Sequence, residues 1–188
     1  MKFLLIHNYL RPPSGENTVF EQEKSLLQMK GQDVMTYTRD NEEIYLGNHK
    51  DRLAIPVQLV WSRRSYYELR RLIKQFGPDV AHFHNIFPLI SPSAYYACHQ
   101  QNVPVLQTLH HFRLVCPGGF LFREGRICED CKGLNFISGI RYGCYRNSRI
   151  QTAGMVFMIY FHLLMKTWQN MVDRYIVLSS FAKQKFLD

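Results

Sequence analysis

The chain has 188 residues, enough for one self-sufficient α/β domain and too few for two full ones. Its 46% hydrophobic content, with 13 Phe and 11 Tyr against 20% charged residues, excludes a disordered or low-complexity chain. The formal net charge of +8 favours phosphate-bearing partners, but the basic residues are scattered along the chain in the manner of solvated helix faces, so nucleic acid is not expected as a partner.

Lys2 to Tyr9 is an apolar run without the small-residue cleavage site of a secretory signal, and it reads as a first buried strand. Pro12, Pro13, Ser14 and Gly15 make a loop, and Asn17 to Lys30 has near-helical apolar spacing through Val19, Phe20, Leu26, Leu27 and Met29 before Gly31. Asp33 to Thr38 is a second strand, Pro56 to Phe76 a helix stopped by Gly77-Pro78, and Val80 to His84 a third strand. Ser91-Pro92 opens a helix to about Asn102, and Val103 to Leu109 is a fourth strand. From His111 to Asn147 periodicity gives way to Gly, Cys and Arg, an irregular insertion. Arg149 to Asn170 is helical, Arg174 to Leu178 a fifth strand, and Ser180 caps a last helix.

Short strands separated by helices imply a Rossmann-like α/β fold, a parallel sheet with helices on both faces, because parallel neighbours need a right-handed crossover. One domain over residues 1–188, carrying the Cys-rich insertion 111–147, is the expected organisation. The apolar stretch Ala153 to Met165 is shorter than the ~20 residues of a bilayer span. A cytoplasmic protein with reduced cysteines is expected. The helix containing that stretch either packs in the core or touches the inner membrane face peripherally with its aromatic and basic residues.

Ligands of such sheets gather at the carboxyl ends of the strands, and the residues there are polar. Ser14, Gly15 and Glu16 follow the first strand, where backbone N–H groups and a helix end can meet a phosphate, although an ordinary βα turn looks the same. His82 and His84 share one side of the third strand, spaced for a metal pair, a sugar hydroxyl or a structural hydrogen bond. His110 ends the fourth strand, as a substrate contact or as a structural histidine. Cys116, Cys128, Cys131 and Cys144 supply four thiolates in a segment with little core, the makings of a structural zinc site, with free cysteines or a redox pair as the other readings.

These segments, in this order, resemble glycosyltransferase family 4 along nearly the whole chain. The residues that carry the resemblance are Ser14-Gly15-Glu16, Gly77 through Asn85, Pro104 through His110, Cys116-Pro117-Gly118-Gly119, Gly125 through Cys131 and Val172 through Phe181. The resemblance implies the N-terminal, acceptor-side half of a GT-B fold, moving a sugar with retention, without a catalytic metal, from a nucleotide-diphosphate sugar to a glycan or lipid-linked acceptor. It implies that Gly15 and Glu16 lie against the donor diphosphate, that His110 stands near the transferred sugar, and that His84, Asn85 and Arg113 shape the acceptor side. Ser14 departs from the family by replacing the first glycine of its usual pair. The family's donor-binding Glu-x7-Glu domain does not occur before Asp188, so the isolated chain is expected to turn over no donor unless a separate donor-domain chain joins it. The rival expectation is a non-catalytic, zinc-stabilised module binding anions or a protein.

Overall fold

The computed structural model describes residues 1–12, 14–46 and 49–187, with residues 49–53 as backbone only, so Pro13 of the first loop lies outside the described residues. In chain order the elements are β1 (Lys2–Tyr9), α1 (Gly15–Met29), β2 (Asp33–Asp40), α2 (Glu42–Leu46), α3 (His49–Val60), α4 (Arg63–Phe76), β3 (Val80–Phe83), α5 (Ser93–His99) and β4 (Val105–Leu109). They continue as β5 (Phe122–Arg123), β6 (Arg126–Ile127), a 3-10 turn (Lys132–Leu134), α6 (Ile137–Tyr142), α7 (Arg149–Leu164), α8 (Thr167–Asn170), β7 (Arg174–Val177) and α9 (Ser180–Leu187). The chain forms two compact units, residues 1–108 with 166–176, and residues 109–165 with 177–188.

The first unit is built on a five-stranded sheet of order β2-β1-β3-β4-β7, the doubly wound Rossmann-like arrangement expected. Parallel register sets Ile6 beside Tyr37 and Phe83, and Phe83 beside Gln107. Consecutive residues Leu4, Leu5 and Ile6 are all fully buried, so both faces of β1 are covered, which is why the sequence is apolar without a break from Phe3 to Ile6. Phe83 packs against Tyr95 of α5 at 4.7 Å between ring centres, and burying such a ring contributes about 1.5–3 kcal/mol. Gly77 ends α4 in the left-handed region (φ 62°), where its N–H reaches the Ile73 carbonyl at 2.8 Å.

Four local expectations are corrected. The helix expected over 56–76 is two, because Ser62 accepts from the Ser65 N–H and starts α4 afresh. The helix expected over 149–170 stops at Leu164, since Lys166 takes a left-handed conformation (φ 51°) before α8 begins. Ser179, not Ser180, caps α9, accepting from Ala182 N–H at 3.1 Å. Along α1 only Phe20 is fully buried, whereas Leu26 and Met29 face solvent.

In the second unit the segment expected to be irregular carries a β5–β6 hairpin, whose turn residues Glu124 (φ 51°) and Gly125 (φ 79°) both lie in the left-handed region, as a tight primed turn requires. The helix α7 buries Thr152, Met155, Val156, Met158, Ile159 and His162 along one stripe. Its opposite face leaves Ile150, Phe157 and Leu164 exposed. Among the described residues no helix is long and apolar enough to cross a membrane.

Candidate functional site at the carboxyl ends of the strands

In the first unit the strand ends are joined by amides. Asn8 donates from Nδ2 to Asn41 Oδ1 at 2.9 Å and accepts from the Leu89 N–H at 3.1 Å. Asn85 donates to the carbonyls of Asn8 and Phe87 at 3.0 and 3.2 Å, while its Oδ1 accepts from the Phe87 N–H at 3.1 Å. These side chains are buried with their polar atoms paired, as an interior of low dielectric demands. Asn85, expected on the acceptor side, is thus spent on holding the loop after β3.

His7 stacks on Phe20 at 4.8 Å and lies fully buried. Its Nδ1 accepts the Asn85 N–H at 3.4 Å, which leaves Nε2 to donate to Asn17 Oδ1 at 3.0 Å. Burial, opposed by that bond to Asn17, lowers its pKa to about 4, so the ring is neutral at pH 7.

His82 and His84 do share one side of β3, and what they meet there is Glu23 of α1. Glu23 Oε1 lies 2.5 Å from His82 Nδ1 and its Oε2 lies 3.4 Å from His84 Nε2, while His82 Nε2 contacts Thr108 Oγ1 at 2.7 Å. Burial alone would raise the Glu23 pKa, but the hydrogen bonds and charges of the two histidines outweigh it and hold the carboxyl at about 2. Among the described residues this is the set of three ligand atoms mutually within 4.8 Å that could take a metal ion. The same atoms are held together by the His82–Glu23 and His82–Thr108 hydrogen bonds and by the His84–Glu23 contact. Glu23 escaped the sequence reading; its one signal is a position three residues after the inward-facing Phe20, on the same helix face.

Ser14 stands at the N-cap of α1 without a side-chain cap bond, and its carbonyl accepts from the Asn17 N–H at 3.1 Å. Among the described residues, none beyond the chain neighbours and the helix's own backbone lies within 4 Å of the place a Cβ would take on Gly15. Glu16 in the first turn suits the helix dipole and opposes an approaching anion.

His110 and Arg113 belong to the second unit, His110 half-buried directly after β4. The loop from Phe112 to Gly119 closes on itself through Phe112 N–H to the Gly119 carbonyl and Gly119 N–H to the Cys116 carbonyl, both 2.8 Å. Arg113 donates to the Pro117 carbonyl at 3.3 Å and lies over the Tyr145 ring at 5.0 Å. Gly119 stands at φ 87°, a conformation that favours glycine, and a Cβ there would come within 3.2 Å of the Arg113 guanidinium, which would have to give by a few tenths of an ångström. Burial and the Arg113 charge push His111 down to about 3.

Cys116, Cys128, Cys131 and Cys144, 28 positions apart from first to last, line one cavity of about 360 Å³ together with Arg123 and Tyr142. The hairpin delivers Cys128, whose N–H pairs with the Leu121 carbonyl at 2.9 Å, and left-handed Gly143 turns the chain into Cys144. Gly118 lets its loop approach the Cys144 carbonyl, where a Cβ would sit at 3.1 Å. Arg123, paired with Asp130 at 2.7 Å, lies over Tyr142 at 3.8 Å. Burial first, then the neighbouring sulfurs, push the Cys131 thiol up to about 11, so it is protonated and weakly nucleophilic at pH 7.

Two solved structures are similar to the chain. The UDP-GlcNAc 2-epimerase of Methanocaldococcus jannaschii matches all of this chain and 42% of its own, with a TM-score of 0.51 at 11% identity. The S. aureus MnaA–UDP co-structure matches 60% of this chain and 30% of its own, with a TM-score of 0.40 at 12% identity. The chain therefore spans less than half the length of either. No curated protein matches it. The likeness to the Methanocaldococcus jannaschii enzyme, together with the parallel five-stranded sheet, shows a Rossmann-like fold of the GT-B kind. The family model for glycosyltransferase family 4 matches residues 14–188, and the chain belongs to that family.

Proposed function

We propose that residues 1–188 form the acceptor-side part of a retaining glycosyltransferase that moves a sugar from a nucleotide-diphosphate donor to a glycan or lipid-linked acceptor. The observation that carries this reading is the family match over residues 14–188. The doubly wound sheet, with polar residues at its strand ends, supports it. On this reading His110 contacts the transferred sugar, and Gly15 at the amino end of α1 approaches the donor diphosphate. His84 and Asn85 act from beneath, through the buried network that holds the loops after β1 and β3. A donor-holding domain, in the same chain or in a separate one, completes the enzyme.

The four cysteines have a structural part in this reading, as ligands of one zinc ion. Their convergence on one cavity supports it, as does the scarcity of regular structure around them.

The test is transfer of labelled sugar by the enzyme complete with its donor domain. His110→Ala should lower kcat by about 10²-fold or more with an unchanged circular dichroism spectrum. Product from the wild type should retain the donor's anomeric configuration. Full activity in the variant, or inversion, overturns the corresponding part.

A further inference from the structure

The unit formed by residues 109–165 and 177–188 holds, besides the cavity of the four cysteines, another of about 320 Å³. Its apolar walls come from separate stretches of the chain: Val115 after β4, Leu121 and Leu134 on either side of the hairpin, and Phe186 of α9. All four side chains are half-buried, so a molecule entering the cavity can touch them. The volume falls within the range of about 300–1,000 Å³ that ligand pockets occupy.

The backbone behind these walls is already bonded. Val115 donates its N–H to the Phe112 carbonyl at 3.0 Å, the Leu121 carbonyl accepts from the Cys128 N–H at 2.9 Å, and the Leu134 carbonyl accepts from the Tyr160 hydroxyl at 2.5 Å. The Phe186 ring packs on Phe112 at 5.5 Å between centres. A glycan lodged here would bury its hydroxyls against carbon, with these backbone groups already taken, and a buried hydroxyl without a partner is disfavoured. An alkyl or prenyl chain asks for no such partner and gains by leaving water.

Charge narrows the choice of apolar molecule. Glu129, Lys132 and Lys185 also line the cavity, and Lys185 is bound to Glu129. The complementarity is that of the unit as a whole: residues 109–165 and 177–188 contain nine Lys and Arg against four Asp and Glu, a net charge of +5 out of the chain's +8. Such a surplus draws an anionic headgroup without a dedicated ion pair. The segments that wall the cavity expose further apolar side chains, Phe181 and Leu187 on α9 and Phe120 next to Leu121, a surface suited to a chain longer than the cavity.

We propose that this cavity takes the apolar chain of a phosphate-bearing lipid, with the headgroup left outside, and that this lipid is the acceptor. Naming it as the acceptor rests on the glycosyl-transfer reading; the lipid site itself does not. Three probes separate chain from charge: octyl phosphate carries both, octyl glucoside has the same chain without the charge, and glucose 1-phosphate has the phosphate without the chain.

The experiment is titration calorimetry of the purified chain with each probe, at low salt and below the micelle concentration. Octyl phosphate should bind saturably at one site per chain, at least tenfold tighter than glucose 1-phosphate and tighter than octyl glucoside. Leu134→Asp should weaken that binding at least tenfold, because it sets a charge in the apolar wall. Leu134 stands at φ 64°, a conformation that aspartate adopts more readily than leucine, so the variant should fold. Val115→Phe, which fills the cavity, should weaken binding too, whereas Ile127→Ser, on the hairpin outside the cavity, should leave it unchanged. Octyl phosphate that does not bind, binding that neither Leu134→Asp nor Val115→Phe alters, or an equal loss in Ile127→Ser overturns the site; octyl glucoside binding as tightly as octyl phosphate overturns the anionic headgroup. Binding by the chain with no sugar transfer by the complete enzyme would sink the transferase reading and leave the lipid site standing; transfer without binding would do the reverse.

Discussion

Replacing Glu23 by Gln gives a side chain of the same shape that copies the protonated acid and cannot ionise. The wild-type carboxyl titrates at about 2 when folded, against an ordinary value of 4.5. At about 1.36 kcal/mol per pH unit this gap corresponds to about 3 kcal/mol. Because the side chain is 27% exposed, screening brings the expected effect to about 2 kcal/mol. The sign follows from the depressed pKa: the stabilisation is complete above the unfolded value near 4.5 and fades as pH falls through about 2. Urea unfolding of both proteins at intervals between pH 7 and pH 2 measures it. Wild type should exceed Glu23→Gln by about 2 kcal/mol at pH 7, and the two curves should converge towards pH 2. A difference that stays constant over the whole range would refute the ionic account of the Glu23, His82 and His84 cluster.

Two further outcomes follow from the second unit. Freshly purified, reduced protein should contain about one zinc per chain, and Cys128→Ser should lose the metal and lower the melting temperature; less than half an equivalent in the wild type would rule out four-thiolate ligation. If α7 meets a membrane through Ile150, Phe157 and Leu164, sedimentation with anionic vesicles should carry the protein down, and Phe157→Asp with Leu164→Asp should reduce that binding at least tenfold. Equal sedimentation of wild type and variant would reject the contact.

The strands were legible because a strand buried on both faces is apolar over consecutive positions, as Leu4 to Ile6 of β1 and Val80 with Ala81 of β3 are. The break at Ser62 was legible in principle, since a serine before a helical run is a capping signal, but apolar spacing on both sides masked it. Lys166, whose left-handed backbone precedes α8, carries no such signal. The cysteines announced themselves by composition and spacing, and the structure adds that left-handed turns at Glu124, Gly125 and Gly143 are what bring them to one cavity.

By itself the sequence determined the class of fold and the polar character of the strand ends, because periodicity and turn chemistry act over a few neighbouring residues. Only tertiary structure decided that Glu23, 59 positions from His82, would stand between two histidines, and that Glu43 would hold the buried Arg39 through Nε and Nη2. Such partners are chosen by the closure of the sheet and the angle of each helix upon it, and local sequence carries no record of either.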